Sequence, residues 1–179
     1  MHLEFIKQVN KPVSFKCTRA DKSSTYMLIF HPFNFERKLI HYVLESILGF
    51  NHAYFGLLSK GYSLKDFETP LLFKNNMLKP ANLPVQAIQA EILAGLFHVE
   101  LNDHAEIEDF LAIAKITFEV QQIKFPKLSK KQITEIRKTI IELLVQWQQL
   151  QTGEMLSLEF QFNKNNSKDK PSKPKLPEG

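Results

Sequence analysis

The chain has a single cysteine, Cys17, in 179 residues. That excludes an internal disulfide framework and any zinc site built mainly from thiolates, and it fits a reducing compartment, so the cytoplasm is the expected location. Long apolar runs are missing too: stretches such as Tyr26 to Phe30 fall far short of the roughly 18 to 20 residues that cross a bilayer. Met1 to Asn10 lacks a basic segment followed by a long apolar one, so no signal peptide is expected. The six glycines are too scattered for a phosphate-cradling loop or a dinucleotide fingerprint, and no Gly-x-Ser-x-Gly elbow occurs. Nucleotide chemistry is disfavoured, and no cofactor, metal or membrane partner is expected.

What is present is core material. Apolar residues make up 44% and charged residues 23%, with fifteen Phe, four Tyr and one Trp, enough for one hydrophobic interior at this length. One globular domain over 1–162 is expected. From Asn163 onwards Lys, Pro, Asn and Ser dominate, so 163–179 is expected to be a disordered basic tail that cannot offset its ordering entropy by burial.

The net charge of +4 is unevenly distributed. Residues 84–126 hold two basic and seven acidic side chains, whereas 163–179 hold five and two. Most of the positive excess therefore lies in the tail, and any attraction for a polyanion must come from local patches. One such patch is the N-terminal segment with Lys7, Lys11, Lys16, Arg19 and Lys22, near Phe15, Tyr26 and Phe33. These aromatics would stack on bases only if exposed. Phe15 and Tyr26 are expected in the core instead.

Period-2 alternation marks strands at Leu3 to Val9 and Val13 to Thr18, and Thr25 to His31 is a nearly continuous apolar strand ended by Pro32, expected to be the more central one because it has no polar face to offer water. Asn34 is the expected N-cap of a helix carrying Phe35, Leu39, Ile40, Val43, Leu44 and Ile47 on one stripe, with Gly49 at its left-handed end. A short helix is expected within 51–60 and a capped turn after Ser63. Residues 72–83 read as loop. Pro84 begins a second long helix, and Asp103 with Glu106 resembles a capping box opening a third, expected to run to about Gln121. Ser129 with Gln132 opens the last helix, with Ile133, Ile136, Ile140, Leu144 and Trp147 on one side and Gly153 after it. Leu156, Leu158, Phe160 and Phe162 then alternate as a final strand. Three strands, a run of helices and one more strand predict an α+β fold: a small antiparallel sheet covered on one face by about four helices.

Three groups of side chains are candidates for chemistry. His98, Glu100, Asp103 and His104 are four potential metal ligands within seven residues, but His98 and Glu100 point about 200° apart on a helix, and a polar connector between helices is the expected role. His41 and Glu45, four apart, could form a general base held by a carboxylate. They lie on the side turned away from the apolar stripe and are expected to be an exposed pair. His31 and His52 would join His41 only if the fold brought them together. Cys17 is expected to be a small buried hydrophobe.

The leading expectation is a non-catalytic protein-binding or adaptor protein. The alternatives are a DNA- or RNA-binding accessory protein using Lys11, Lys16, Arg19 and Lys22 together with the tail, and a hydrolase using His41 and Glu45 or His98 and His104.

Overall fold

The structure is a computed structural model that describes residues 1–67 and 82–161. Strands β1 (His2–Ile6), β2 (Val13–Thr18) and β3 (Ser24–Ile29) are followed by helices α1 (Pro32–Leu48) and α2 (Tyr54–Ser59) and a 3-10 turn (Leu64–Phe67). Helices α3 (Val85–Asp103), α4 (Phe110–Val120) and α5 (Lys130–Gln149) and strand β4 (Met155–Glu159) complete the order. The sheet is antiparallel throughout, in the order β3-β2-β1-β4, and helices pack on it as an α+β fold. The expected loop at 72–83 lies mostly outside the described residues, and the tail at 163–179 wholly so.

Alternation decides which sheet face is covered. Leu3, Phe5, Phe15, Cys17 and Leu156 are buried, whereas Glu4, Lys16 and Tyr26 stand in one cross-strand row on the other face. Phe5 and Phe15 are direct cross-strand partners with stacked rings 4.3 Å apart, the kind of pair that fixes register. Phe35 meets Phe5 edge-on at 5.5 Å and lies 4.3 Å from Trp147, joining sheet, α1 and α5 in one core.

Helix α1 packs against α2, α3 and α5. It starts two residues before the expected cap: His31 is the N-cap, Pro32 takes the first turn, and Asn34 is already helical. Proline's fixed φ suits that position. Gly49 closes α1 with φ 65° and donates its N–H to Glu45 O.

The capping box expected at Asp103 and Glu106 does not form. Helix α3 runs through Asp103 and ends with His104 in the left-handed conformation, φ 51°. Asp109 is the cap of α4, its side chain accepting from Ala112 N. At Ser129 and Gln132 both halves of the box are made.

Candidate functional site

Arg37, Lys38 and His41 share one side of α1, and Glu91 of α3 and Tyr54 of α2 face them. With Met27 to Ile29 of β3, Phe30 after it, and His31 and Asn34 at the start of α1, they line a cleft of about 520 Å³. One wall is therefore apolar backbone and side chain from the sheet's last strand, and the floor is ionisable.

His41 and Glu45 are not the exposed pair their spacing suggested. His41 is 5% exposed and Glu45 0%, because α2 and α3 cover the flank of α1 that the apolar stripe leaves uncovered. Glu45 Oε2 accepts the N–H groups of Phe55 at 2.8 Å and Gly56 at 3.1 Å, which would otherwise be orphaned at the start of α2. Its Oε1 faces His41 Nδ1 at 3.5 Å. That distance makes the pair an ion contact on the outer edge of hydrogen-bond range, and neither atom has a hydrogen-bond partner among the described residues. On the opposite side of the ring, His41 Nε2 lies 3.2 Å from Glu91 Oε1, and Arg37 bonds Glu91 Oε2.

Burial pushes the His41 imidazole towards its neutral form, but the nearby carboxylates of Glu45 and Glu91 together outweigh it and leave the pKa above the usual value. Glu45 moves up as well, chiefly because burial penalises its charge. Burial alone would raise Glu91; His41 and Arg37 prevail and hold it at about 2. The Glu91 side chain is nevertheless 53% exposed, so solvent screens much of what those contacts contribute. Lys38 Nζ donates to Tyr54 Oη at 2.9 Å and sits 4.5 Å from the ring centre.

His31 shares the cleft with His41. The other histidines go elsewhere: the His52 backbone N–H donates to Gln86, and His98 is buried with Nε2 3.3 Å from Glu36 and Nδ1 3.0 Å from Asn102. Glu100 accepts a two-pronged bond from Arg137 and the N–H of Ile107. His104 lines a second cavity of about 300 Å³ beside that ion pair. Among the described residues no group of three or more His, Cys, Asp or Glu side chains is arranged to hold a metal ion.

The basic N-terminal side chains are divided in role. Arg19 donates to Leu58 O at 2.6 Å, to Tyr62 O and to Ser23 Oγ, so its guanidinium ties the β2–β3 turn to the end of α2. Lys16 pairs with Glu4 at 3.6 Å. Lys11 and Lys22 are exposed. Phe15 is buried as expected, but Tyr26 is 52% exposed: β3 ends the sheet, and its outer-face side chains have a neighbouring strand on one side only. Cys17 is buried, and burial pushes its thiol up to about 12, against the weaker pull of Arg19 and Lys38.

Chemically, the cleft can hold a proton on His41 and present charged and apolar groups side by side. The described lining contains no Ser, Thr or Cys, and His41 Nε2 is directed at Glu91 rather than at a nucleophile. Sequence reasoning picked out His41 and Glu45 but missed Arg37, Lys38, Tyr54 and Glu91, because only the packing of α2 and α3 on α1 brings these together. No helix among the described residues is long and apolar enough to cross a membrane. Comparison with protein-family models, curated proteins and solved structures found no match to this chain.

Proposed function

We propose that the chain is a non-catalytic protein-binding module that takes an extended segment of a partner polypeptide along the outer edge of β3, with side chains of that segment entering the adjoining cleft. A terminal strand offers a row of main-chain donors and acceptors, and strand addition uses that row for affinity and neighbouring pockets for specificity.

The observation that carries this reading is the character of β3. Edge strands are ordinarily blunted by charge, proline or a covering element. Here the 3-10 turn packs against β3, Leu64 N–H donating to Thr25 Oγ1 at 3.0 Å, but no Asp, Glu, Lys or Arg occurs between Lys22 and Glu36, and Tyr26, Leu28 and Phe30 are 52%, 37% and 73% exposed, with Phe33 at 50%. The opposite edge contrasts with it: β4 is flanked by Glu154 and ends in Glu159, whose carbonyl is bonded by Tyr42 Oη at 3.1 Å.

The test is selection of binders from a displayed random-peptide library against the full chain, followed by measurement with Leu28→Lys and Phe30→Asp variants. Peptides whose affinity falls at least about tenfold, roughly 1.4 kcal/mol, in both variants support the reading. Peptides indifferent to both variants, or no binders, contradict it.

A second reading has one observation in its favour. Tyr26 is exposed directly opposite Lys16, the juxtaposition of ring and cation that single-stranded nucleic acid uses. It requires retention of a labelled oligonucleotide that weakens steeply with salt and is lost in Tyr26→Ala; retention without salt dependence, or none, removes it.

A further inference from the structure

We propose that His41 is a proton-operated clasp in the cleft floor, fastening α3 and the start of α2 to α1 when charged and loosening them when neutral. The ring has a carboxylate oxygen at each end. His41 Nδ1 faces Glu45 Oε1 at 3.5 Å and Nε2 faces Glu91 Oε1 at 3.2 Å. An imidazolium carries two N–H groups and serves both carboxylates; a neutral imidazole carries one and must leave the other carboxylate facing a lone pair.

The three helices meet at this ring. Glu45, on α1 itself, is the carboxylate that accepts the first N–H groups of α2. Glu91 belongs to α3 and is also held by Arg37, one turn before His41. Other polar groups that line the cleft with the ring are Lys38 of α1, bonded to Tyr54 of α2, whose ring centre is 6.2 Å from that of His41, together with His31, the N-cap of α1, and Asn34 in its first turn. With His41 charged, the two cations Arg37 and His41 balance Glu45 and Glu91. When the proton leaves, Glu45 is a buried carboxylate with no cation against it among the described residues, and at this point of the α1–α3 contact Glu91 keeps only Arg37.

Burial and the two carboxylates act on His41 in opposition, and the balance favours the charged ring, so the clasp is closed under mildly acid conditions. Opening places the loosened segment at the cleft. The consequence for a partner rests on the β3 reading above, whereas the clasp itself is a property of the free chain.

The experiment is therefore done on the full chain without partner. Nitrogen-detected NMR of the His41 ring across about pH 5 to 9 should show both nitrogens protonated at the acid end and a midpoint above the ordinary imidazole value of about 6.5. Amide exchange at Phe55, Gly56 and the turn of α3 around Glu91, corrected for its intrinsic pH dependence, should accelerate about tenfold across that midpoint while β1 and β2 stay unchanged. His41→Gln should abolish the step. Glu91→Gln, at a half-exposed position where folding is retained, should lower the midpoint and diminish the step in α3. A midpoint at or below the ordinary value, a ring carrying one proton at the acid end, or a step unaltered in Glu91→Gln overturns the proposal. Any of these leaves β3 docking standing, and failure of β3 docking leaves the titration intact.

Discussion

The ammonium of Lys7 lies 3.1 Å from the main-chain oxygen of Trp147 and 5.7 Å from the centre of its indole ring, across 140 positions of sequence. It also donates to Gln148 O at 3.1 Å and Leu150 O at 2.8 Å. These carbonyls belong to the end of α5, where four acceptors lack helical partners and the dipole favours a cation. One side chain from the residue after β1 thus caps the last helix, and Lys7 N and O pair with Glu154 O and Gly153 N to lead the chain into β4.

Lys7→Met keeps most of the apolar stem and removes the donor. It is expected to destabilise the protein by about 1.5–3 kcal/mol, the range for hydrogen bonds to a charged group. Urea denaturation followed by Trp147 fluorescence measures this directly, and a midpoint equal to wild type would show the cap contributes nothing.

Two helical glycines are expected to respond with opposite sign to the same substitution. A Cβ on Gly56 would collide with the Asn51 carbonyl carbon, whereas at Gly95 nothing stands within 4 Å. The first is a backbone contact that cannot yield without moving α2, so Gly56→Ala should cost about 1–3 kcal/mol or more. Gly95→Ala, in the interior of α3, should gain about 0.5–1 kcal/mol by reducing unfolded-chain entropy and improving helix propensity. Thermal unfolding of the two variants beside wild type checks both signs.

These contrasts indicate what one-dimensional pattern reveals. The four strands, the stripe of α1, Gly49 as its end and the box at Ser129 with Gln132 were legible because each depends on near neighbours and a fixed period. The cleft was not. His41 and Glu45 lie off the apolar stripe, and a helix covered on two flanks buries polar residues that a one-stripe reading assigns to solvent. Asp103 has the spacing of a cap, yet α3 continues through it because Leu101 still packs against the core and His104 accepts a left-handed backbone. Tyr26 was assigned inward because β3 reads as a central strand; its apolar outer face instead belongs to the sheet's edge.

Stability should be greatest in mildly acid solution. His41 has a raised pKa, so its contribution is complete below the unfolded value of 6.5 and is lost as pH rises through the folded one. Glu45, raised by burial, is lost in the same direction. Glu91, held at about 2, contributes above its unfolded value of 4.5 and fades as pH falls from there towards 2. Thermal midpoints should therefore be highest between the unfolded carboxylate value of about 4.5 and the unfolded imidazole value of about 6.5, and decline on both sides. In His41→Gln the alkaline decline should shrink; a wild-type profile that keeps rising to pH 8 would contradict the assignment.

Amide exchange along β3 of the free chain, resolved residue by residue, tests most directly whether that edge is open to a partner. Alternate amides of Ser24–Ile29 point to β2 and alternate ones away from it. The outward set is expected to exchange within minutes, while the inward set and the amides of β2 and β1 remain protected for far longer. Uniform protection of every β3 amide would mean that the edge is already satisfied, and docking along it would be excluded.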